Sequence, residues 1–169
     1  MPIVTFHLVE GESSVEQDEL LLVRASQLYA DILSAPMERV RAFISSYAPR
    51  RCVIAGIPAS RGAAPAPYFE FFVLEGRPPE QRHRLLAGFT DLLVEILGVR
   101  RDLVRGRCIE LSPDDWAIGG VPARAVRADE VAARVAHAQQ LAQQQAGHGC
   151  AGRASPCHSC HKQNGGNAA

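Results

Sequence analysis

No stretch of about 18 consecutive apolar residues occurs in the 169-residue chain, so no membrane-spanning helix is expected. The first residues lack a basic region followed by an apolar run, the mark of a secretory signal, and a cytoplasmic location is the expectation. Net charge is missing too: 18 basic residues cancel 18 acidic ones, and no basic patch with interleaved aromatics appears, which argues against a nucleic-acid binder. Disulfides are not expected. Of the five cysteines, Cys52 and Cys108 lie in apolar strand-like runs while Cys150, Cys157 and Cys160 crowd the end of the chain. In a reducing compartment that pattern favours buried thiols and a metal-binding tail. The remainder, 47% hydrophobic, suits one compact domain of ordinary size plus some extra chain.

What is present is a repeat. Pro2-Ile3-Val4-Thr5-Phe6-His7-Leu8-Val9-Glu10-Gly11 recurs as Pro67-Tyr68-Phe69-Glu70-Phe71-Phe72-Val73-Leu74-Glu75-Gly76. Further on, Val40-Arg41 recurs as Val104-Arg105, and Ile54-Ala55-Gly56-Ile57-Pro58-Ala59 as Ile118-Gly119-Gly120-Val121-Pro122-Ala123. The spacing shifts by one between these anchors, which places a single-residue insertion in one copy, expected in the helical middle.

Each half reads as strand, helix, strand. Residues 3–9 form a strand closed by the Glu10-Gly11 turn. Ser13 or Ser14 then caps a helix, with Glu16 or Gln17 completing a capping box, and Leu20, Leu21, Val23, Leu28 and Ile32 give it an apolar face until Pro36 stops it. Residues 40–47 form a second strand, parallel to the first because a helix crosses over between them. The second half repeats the plan with strands at 69–74 and 104–111 and a helix opened by Pro79, and 62–66 is the connector. The expected fold is therefore α/β of the α+β kind, with two tandem β-α-β units in a four-stranded mixed sheet and two helices on one face. Phe6, Phe69 and Phe71 are expected to alternate between the two faces, which would leave an apolar face to be buried against other subunits. Residues 128–146 are expected as a C-terminal helix with Val131, Val135 and Leu141 in its stripe, and 147–169 as a disordered tail.

Pro2 carries the first chemical signal. With Met1 removed it offers a secondary amine, and an apolar strand that holds this amine against the core disfavours its ammonium form. Its pKa would then fall from roughly 8 towards neutrality, where it can take or give a proton.

Pro2 after Met1, the strand ending in Glu10-Gly11, the Ala35-Pro36 helix stop before Val40-Arg41, and the Trp116-Ala117-Ile118-Gly119-Gly120 run together resemble the tautomerase superfamily, typified by 4-oxalocrotonate tautomerase. The likeness covers residues 2–127, as one domain at 1–127 with repeats at 2–61 and 67–127. The duplication resembles the fused members, which also include malonate semialdehyde decarboxylase and cis-3-chloroacrylic acid dehalogenase. The resemblance implies a cofactor-independent isomerase acting on a small carboxylate, assembled as a homotrimer, with Pro2 as general base. It further implies that Arg77 binds a substrate carboxylate, that Arg41 or Arg105 supplies a second arginine from a neighbouring subunit, and that Trp116 and Ile118 wall the substrate site. Glu12 replaces Arg77 in the first copy and Pro67 is internal without an N–H, so one working pocket per subunit is expected, made of Pro2 and Arg77.

Two alternatives stay open. A protonated Pro2 would serve a decarboxylase or a hydratase-type lyase, although Arg39 stands where the decarboxylase has its aspartate and Tyr29 where the dehalogenase has its helix histidine. The Asp114-Asp115-Trp116 run does resemble the decarboxylase. The tail belongs to another class: Cys157-His158-Ser159-Cys160-His161 has the form of a haem-attachment motif, but an ion held by Cys150, Cys157, Cys160 and one of His148, His158 or His161 suits the context better.

Overall fold

A computed structural model describes residues 2–129 and, beyond them, 132, 133, 135, 136, 139, 140 and 143. In chain order the elements are β1 (Ile3–Val9), α1 (Val15–Leu33), β2 (Arg41–Tyr47), β3 (Val53–Ile54), β4 (Ile57–Pro58), β5 (Tyr68–Leu74), α2 (Pro79–Leu97), β6 (Arg105–Leu111), β7 (Ala117–Ile118), β8 (Val121–Pro122) and α3 (Ala123–Val126). The main sheet has the order β2-β1-β5-β6. Each β-α-β unit contributes a parallel pair, and the two units join antiparallel through β1 and β5.

The helices are equal in length, 19 residues each. The additional residue of the first copy therefore sits in the turn before the helix, since Glu12-Ser13-Ser14 stands where the second copy has only Arg77-Pro78. This corrects the expected place of the insertion. A turn absorbs an extra residue without rotating an apolar face out of the core. Ser14 is the cap, and its hydroxyl accepts from the Gln17 backbone N–H while the Gln17 side chain returns the bond to Ser14.

The core lies between the sheet and both helices. Phe6, Phe69 and Phe71 all point into it, fully buried with Tyr29 and Phe89, which corrects the expectation that they alternate. Phe69 and Phe71 are two apart on one strand and so share a face, and Phe6 pairs directly with Phe69 across the sheet. Leu28 fills the space above Gly88, where α1 and α2 approach.

The opposite sheet face is amphipathic. Ile3, Thr5, His7, Tyr68, Glu70 and Phe72 form its middle, and Phe43 at its edge is 50% exposed. The His7 ring stacks between Tyr47 and Tyr68 and its Nδ1 is 2.7 Å from the Tyr47 hydroxyl.

Two short hairpins complete the halves. Ala55-Gly56 and Gly119-Gly120 each supply two successive positive φ angles, the requirement of a tight two-residue turn whose twist matches the flanking strands. The halves are also stitched reciprocally. Gln17 donates to the Ile96 carbonyl at the end of α2 (2.7 Å), and Arg77 donates to the Leu33 carbonyl at the end of α1 (3.0 Å). Those carbonyls have no partner within their own helix. No helix among the described residues is long and apolar enough to cross a membrane.

Candidate active site

Pro2 is buried at the head of β1, and its carbonyl accepts the Arg41 backbone N–H at 2.9 Å, which fixes it to the sheet. The next residue, Ile3, faces Phe72 of β5. Pro2 thus sits where β5 leaves the sheet and α1 ends.

A cavity of about 200 Å³ opens at this point. Its wall runs from Leu33 through Pro36, continues through Phe72 to Leu74, and includes the guanidinium-bearing side chains of Arg39, Arg77 and Arg127. Among the described residues no aspartate or glutamate lines it. The volume lies below the roughly 300–1,000 Å³ typical of sites for drug-sized ligands and suits a small organic acid.

Local structure explains the placement of each cation. Arg77 follows the Glu75-Gly76 turn, in which Gly76 has a φ of 84°, and is anchored by the Leu33 carbonyl and by Gln81 Oε1 at 3.2 Å. A cation there is also favoured by the negative end of the α1 dipole. Arg39 closes the single helical turn Met37–Arg39 between α1 and β2, and Arg127 follows α3. All three are half-buried, whereas Arg41 and Arg105 are exposed.

Arg41 and Arg105 occupy equivalent positions and behave alike. The Arg41 guanidinium donates to the Glu38 and Val40 carbonyls, and that of Arg105 to the Asp102 and Val104 carbonyls. The Arg105 backbone bonds to the carbonyl of Pro67, not Pro2. Within one chain neither side chain lines the Pro2 cavity. Trp116 stands one ring away from the cavity, its indole 6.2 Å from the Phe72 ring that lines it, and its buried Nε1 has no partner among the described residues. Ile118 belongs to β7 and is not part of the cavity wall.

Tyr29 is a core residue, not a cavity residue. Its hydroxyl donates to the Phe72 carbonyl at 2.5 Å, and burial raises its pKa well above the ordinary tyrosine value, with nearby Arg77 acting weakly the other way. It therefore stays protonated and buttresses the strand that carries Phe72.

Pro2 and Arg77 are brought together as the sequence suggests. Arg39 and Arg127 are additional members of the wall. The substitution of Arg39 for the decarboxylase aspartate was a usable signal, but Arg127 had none, because its first-copy counterpart, Ala63, lies in the connector. Among the described residues no group of three or more His, Cys, Asp or Glu side chains could hold a metal ion. Cys150, Cys157, Cys160 and His161 lie outside the described residues. The two remaining cysteines, Cys52 and Cys108, are free and half-buried, and burial pushes the Cys108 thiol pKa up.

Comparison with known proteins agrees with this geometry. Residues 67–125 match the family model described as Tautomerase enzyme. A 2-hydroxymuconate tautomerase of Pseudomonas sp. (strain CF600) is 39% identical over 61 residues, 36% of this chain and 95% of that protein. That of Pseudomonas putida has the same identity and coverage. Among solved structures, Pt0534 inactivated by 2-oxo-3-pentynoate is 28% identical with a TM-score of 0.68, covering 74% of this chain and 98% of the other. A native fused 4-OT is 25% identical with a TM-score of 0.68, covering 73% and 97%. With two β-α-β units, a buried proline at the head of the first and these relatives, the chain belongs to the tautomerase family as a fused, two-unit member.

Proposed function

We propose that this chain is a cofactor-independent tautomerase that interconverts keto and enol forms of a small unsaturated 2-oxo acid, with the Pro2 amine, freed by removal of Met1, as general base. The observation that carries this reading is the buried Pro2 in a cavity whose wall, among the described residues, includes three guanidinium groups and no carboxylate. Burial disfavours a prolinium ion, which moves the amine's pKa down towards neutrality and lets it accept a proton. Arg77 holds a substrate carboxylate through charge-assisted hydrogen bonds. Pro2 takes the enol hydroxyl proton or an acidic C–H proton, the electron pair moves through the conjugated system, and prolinium returns the proton at another carbon. The guanidinium groups offset the negative charge that develops on the oxygen meanwhile.

The lyase alternative requires a group to activate water. Among the described residues no acidic side chain lines the cavity, and Arg39 stands at the aspartate's position, which favours the isomerase. Fused 4-OT relatives described as trimers, together with the amphipathic outer sheet face, support a homotrimer, in which the second arginine, Arg41 or Arg105, comes from a neighbouring copy.

The first substrate to assay is 2-hydroxymuconate, followed spectrophotometrically, with Pro2→Ala alongside. Loss of general-base catalysis lowers kcat/KM by about 10²–10⁴-fold. Intact mass is expected to be lower by one methionine residue, and NMR titration should place the amine below about 8. Wild-type rates in Pro2→Ala sink this reading, and an amine titrating well above that value favours the lyase.

A further inference from the structure

We infer that Tyr29 is a positioning residue for the Pro2 amine, its hydroxyl pinning the head of β1 to β5. The inference rests on the tautomerase reading for the task of the amine and on the geometry of this seam for the residue. The antiparallel register of β1 and β5 runs from His7 opposite Tyr68 to Ile3 opposite Phe72, and Pro2 lies one residue beyond it. At that last pair the Tyr29 hydroxyl donates to the Phe72 carbonyl at 2.5 Å and stands 3.5 Å from the Ile3 carbonyl. Tyr29 thus reaches both the residue that follows Pro2 and a residue that lines its cavity.

The duplication separates the ring of Tyr29 from its hydroxyl. Counted from the start of each helix, Tyr29 of α1 corresponds to Leu93 of α2, and both are fully buried. The ring has a packing reason: it meets Phe71 and Phe89 edge to face at centroid distances of 5.9 and 5.4 Å, and Phe89 stands where α1 has the small Ala25. Bulk is exchanged between the copies in this way, but the hydroxyl has no counterpart. Leu93 has no hydrogen to give to the His7 and Tyr68 carbonyls at the other end of the ladder, so the fold does not demand a hydroxyl at this place. A buried hydroxyl costs free energy unless it is bonded, and a phenylalanine would fill the same space. What sets the two ends apart is Pro2, which can present an amine, against Pro67, which cannot.

Fraying concentrates at chain ends unless something ties them down. With Met1 removed Pro2 is such an end, and its carbonyl is tied on the β2 side by the Arg41 N–H at 2.9 Å. Tyr29 supplies the tie on the β5 side. General-base catalysis needs the amine within hydrogen-bond reach of the proton it takes, and a misplacement of about 1 Å can cost about 10²-fold in rate. Fraying would also carry the amine out towards water, where its ammonium form is favoured. Tyr29 acts on the reaction through the position of Pro2, without touching the substrate.

The test uses the full chain, Tyr29→Phe, which keeps the ring, and Leu93→Val, a core change at the matching place of the other copy, with thermal melts to confirm folding. Without substrate, NMR follows hydrogen exchange of the Ile3 amide and titration of the Pro2 amine. Tyr29→Phe is expected to exchange faster at Ile3 and to titrate closer to the ordinary α-amino value of about 8 than wild type does, whereas Leu93→Val should match wild type in both. With 2-hydroxymuconate, Tyr29→Phe should lose about 10- to 100-fold in kcat with KM within about 3-fold, and the acidic limb of its kcat/KM profile should move to higher pH. A Tyr29→Phe variant that melts lower but keeps wild-type exchange, titration and pH profile overturns the inference, because the hydroxyl is then structural alone. The same changes appearing in Leu93→Val overturn it too. Turnover by wild type decides the other question: responses of exchange and titration to Tyr29→Phe without any turnover keep this assignment and remove the tautomerase reading, and turnover without those responses does the reverse.

Discussion

Replacing Gly106 by alanine is expected to destabilise the fold, although glycine in a strand is ordinarily a weakness. Gly106 pairs with Phe69 across β5 and β6. A Cβ added there would lie 2.7 Å from both Cε atoms of the Phe69 ring and closer still to Cζ. The ring has little room to yield. It is fully buried, with the centroids of Phe6, Phe71 and Phe89 at 6.1, 6.4 and 5.6 Å. Forcing a methyl group into such a core costs about 1–3 kcal/mol, against a gain of about 0.4–1 kcal/mol from restricting the unfolded chain. The net loss is about 1–2 kcal/mol, which for a body of this size lowers Tm by about 3–10 °C. The first copy supports the argument, since there the equivalent pair is Val4 and Ala42: a smaller residue on one strand faces a larger one on the other. Thermal unfolding of Gly106→Ala, in wild type and in a Phe69→Leu background, is the assay. The penalty should shrink by at least about 1 kcal/mol when the ring is gone, a coupling characteristic of residues in contact. An unchanged or raised Tm, or the same penalty in both backgrounds, refutes the reasoning.

Tyr29→Phe removes the hydroxyl that donates to the Phe72 carbonyl and is expected to cost about 1–3 kcal/mol, read as a shift in the denaturant midpoint; a shift under about 0.5 kcal/mol means the bond is not being made. Glu12→Gln tests a half-buried acid. Desolvation raises the Glu12 pKa above its ordinary value, so the native state holds the proton more tightly than the unfolded chain, and its favourable contribution is lost as pH rises through the folded-state pKa. The variant should therefore gain stability relative to wild type as pH rises from about 4 towards neutrality, and parallel stability curves for the two proteins would contradict this.

Most of the fold could be read from the chain because its signals were local or duplicated. The Ser14 capping box, the Pro79 helix start and the Pro36 stop are each written within four residues, and the repeat transferred every boundary from one half to the other. Pro2 and Arg77 were legible for a related reason: the copies differ at those positions in their chemistry, amine against imide nitrogen and cation against anion. The two hairpins were missed although Ala55-Gly56 and Gly119-Gly120 between β-branched residues spelled them out; these segments had served only to align the repeats. Cavity membership of Arg39 and Arg127 was hidden for a physical reason. Whether a long arginine side chain lies against a cleft or in water depends on the packing of neighbouring elements, and no periodicity encodes that.

The reciprocal bonds from Gln17 to Ile96 and from Arg77 to Leu33 mean that each unit finishes a helix it does not own. Together with the shared sheet and core, they make the connector at 62–66 nearly dispensable as a strut. What a short connector does provide is stoichiometry, because two unlike partners joined by a few residues meet at an effective concentration of about millimolar, always one to one. Separately made halves would also pair like with like. A cut in the connector after folding should accordingly leave the two pieces together and the Pro2 cavity intact, while halves expressed apart would distribute among mixed assemblies, in some of which a proline would face Glu12 in place of Arg77. The covalent bond thus selects the partner, and the noncovalent stitches hold it.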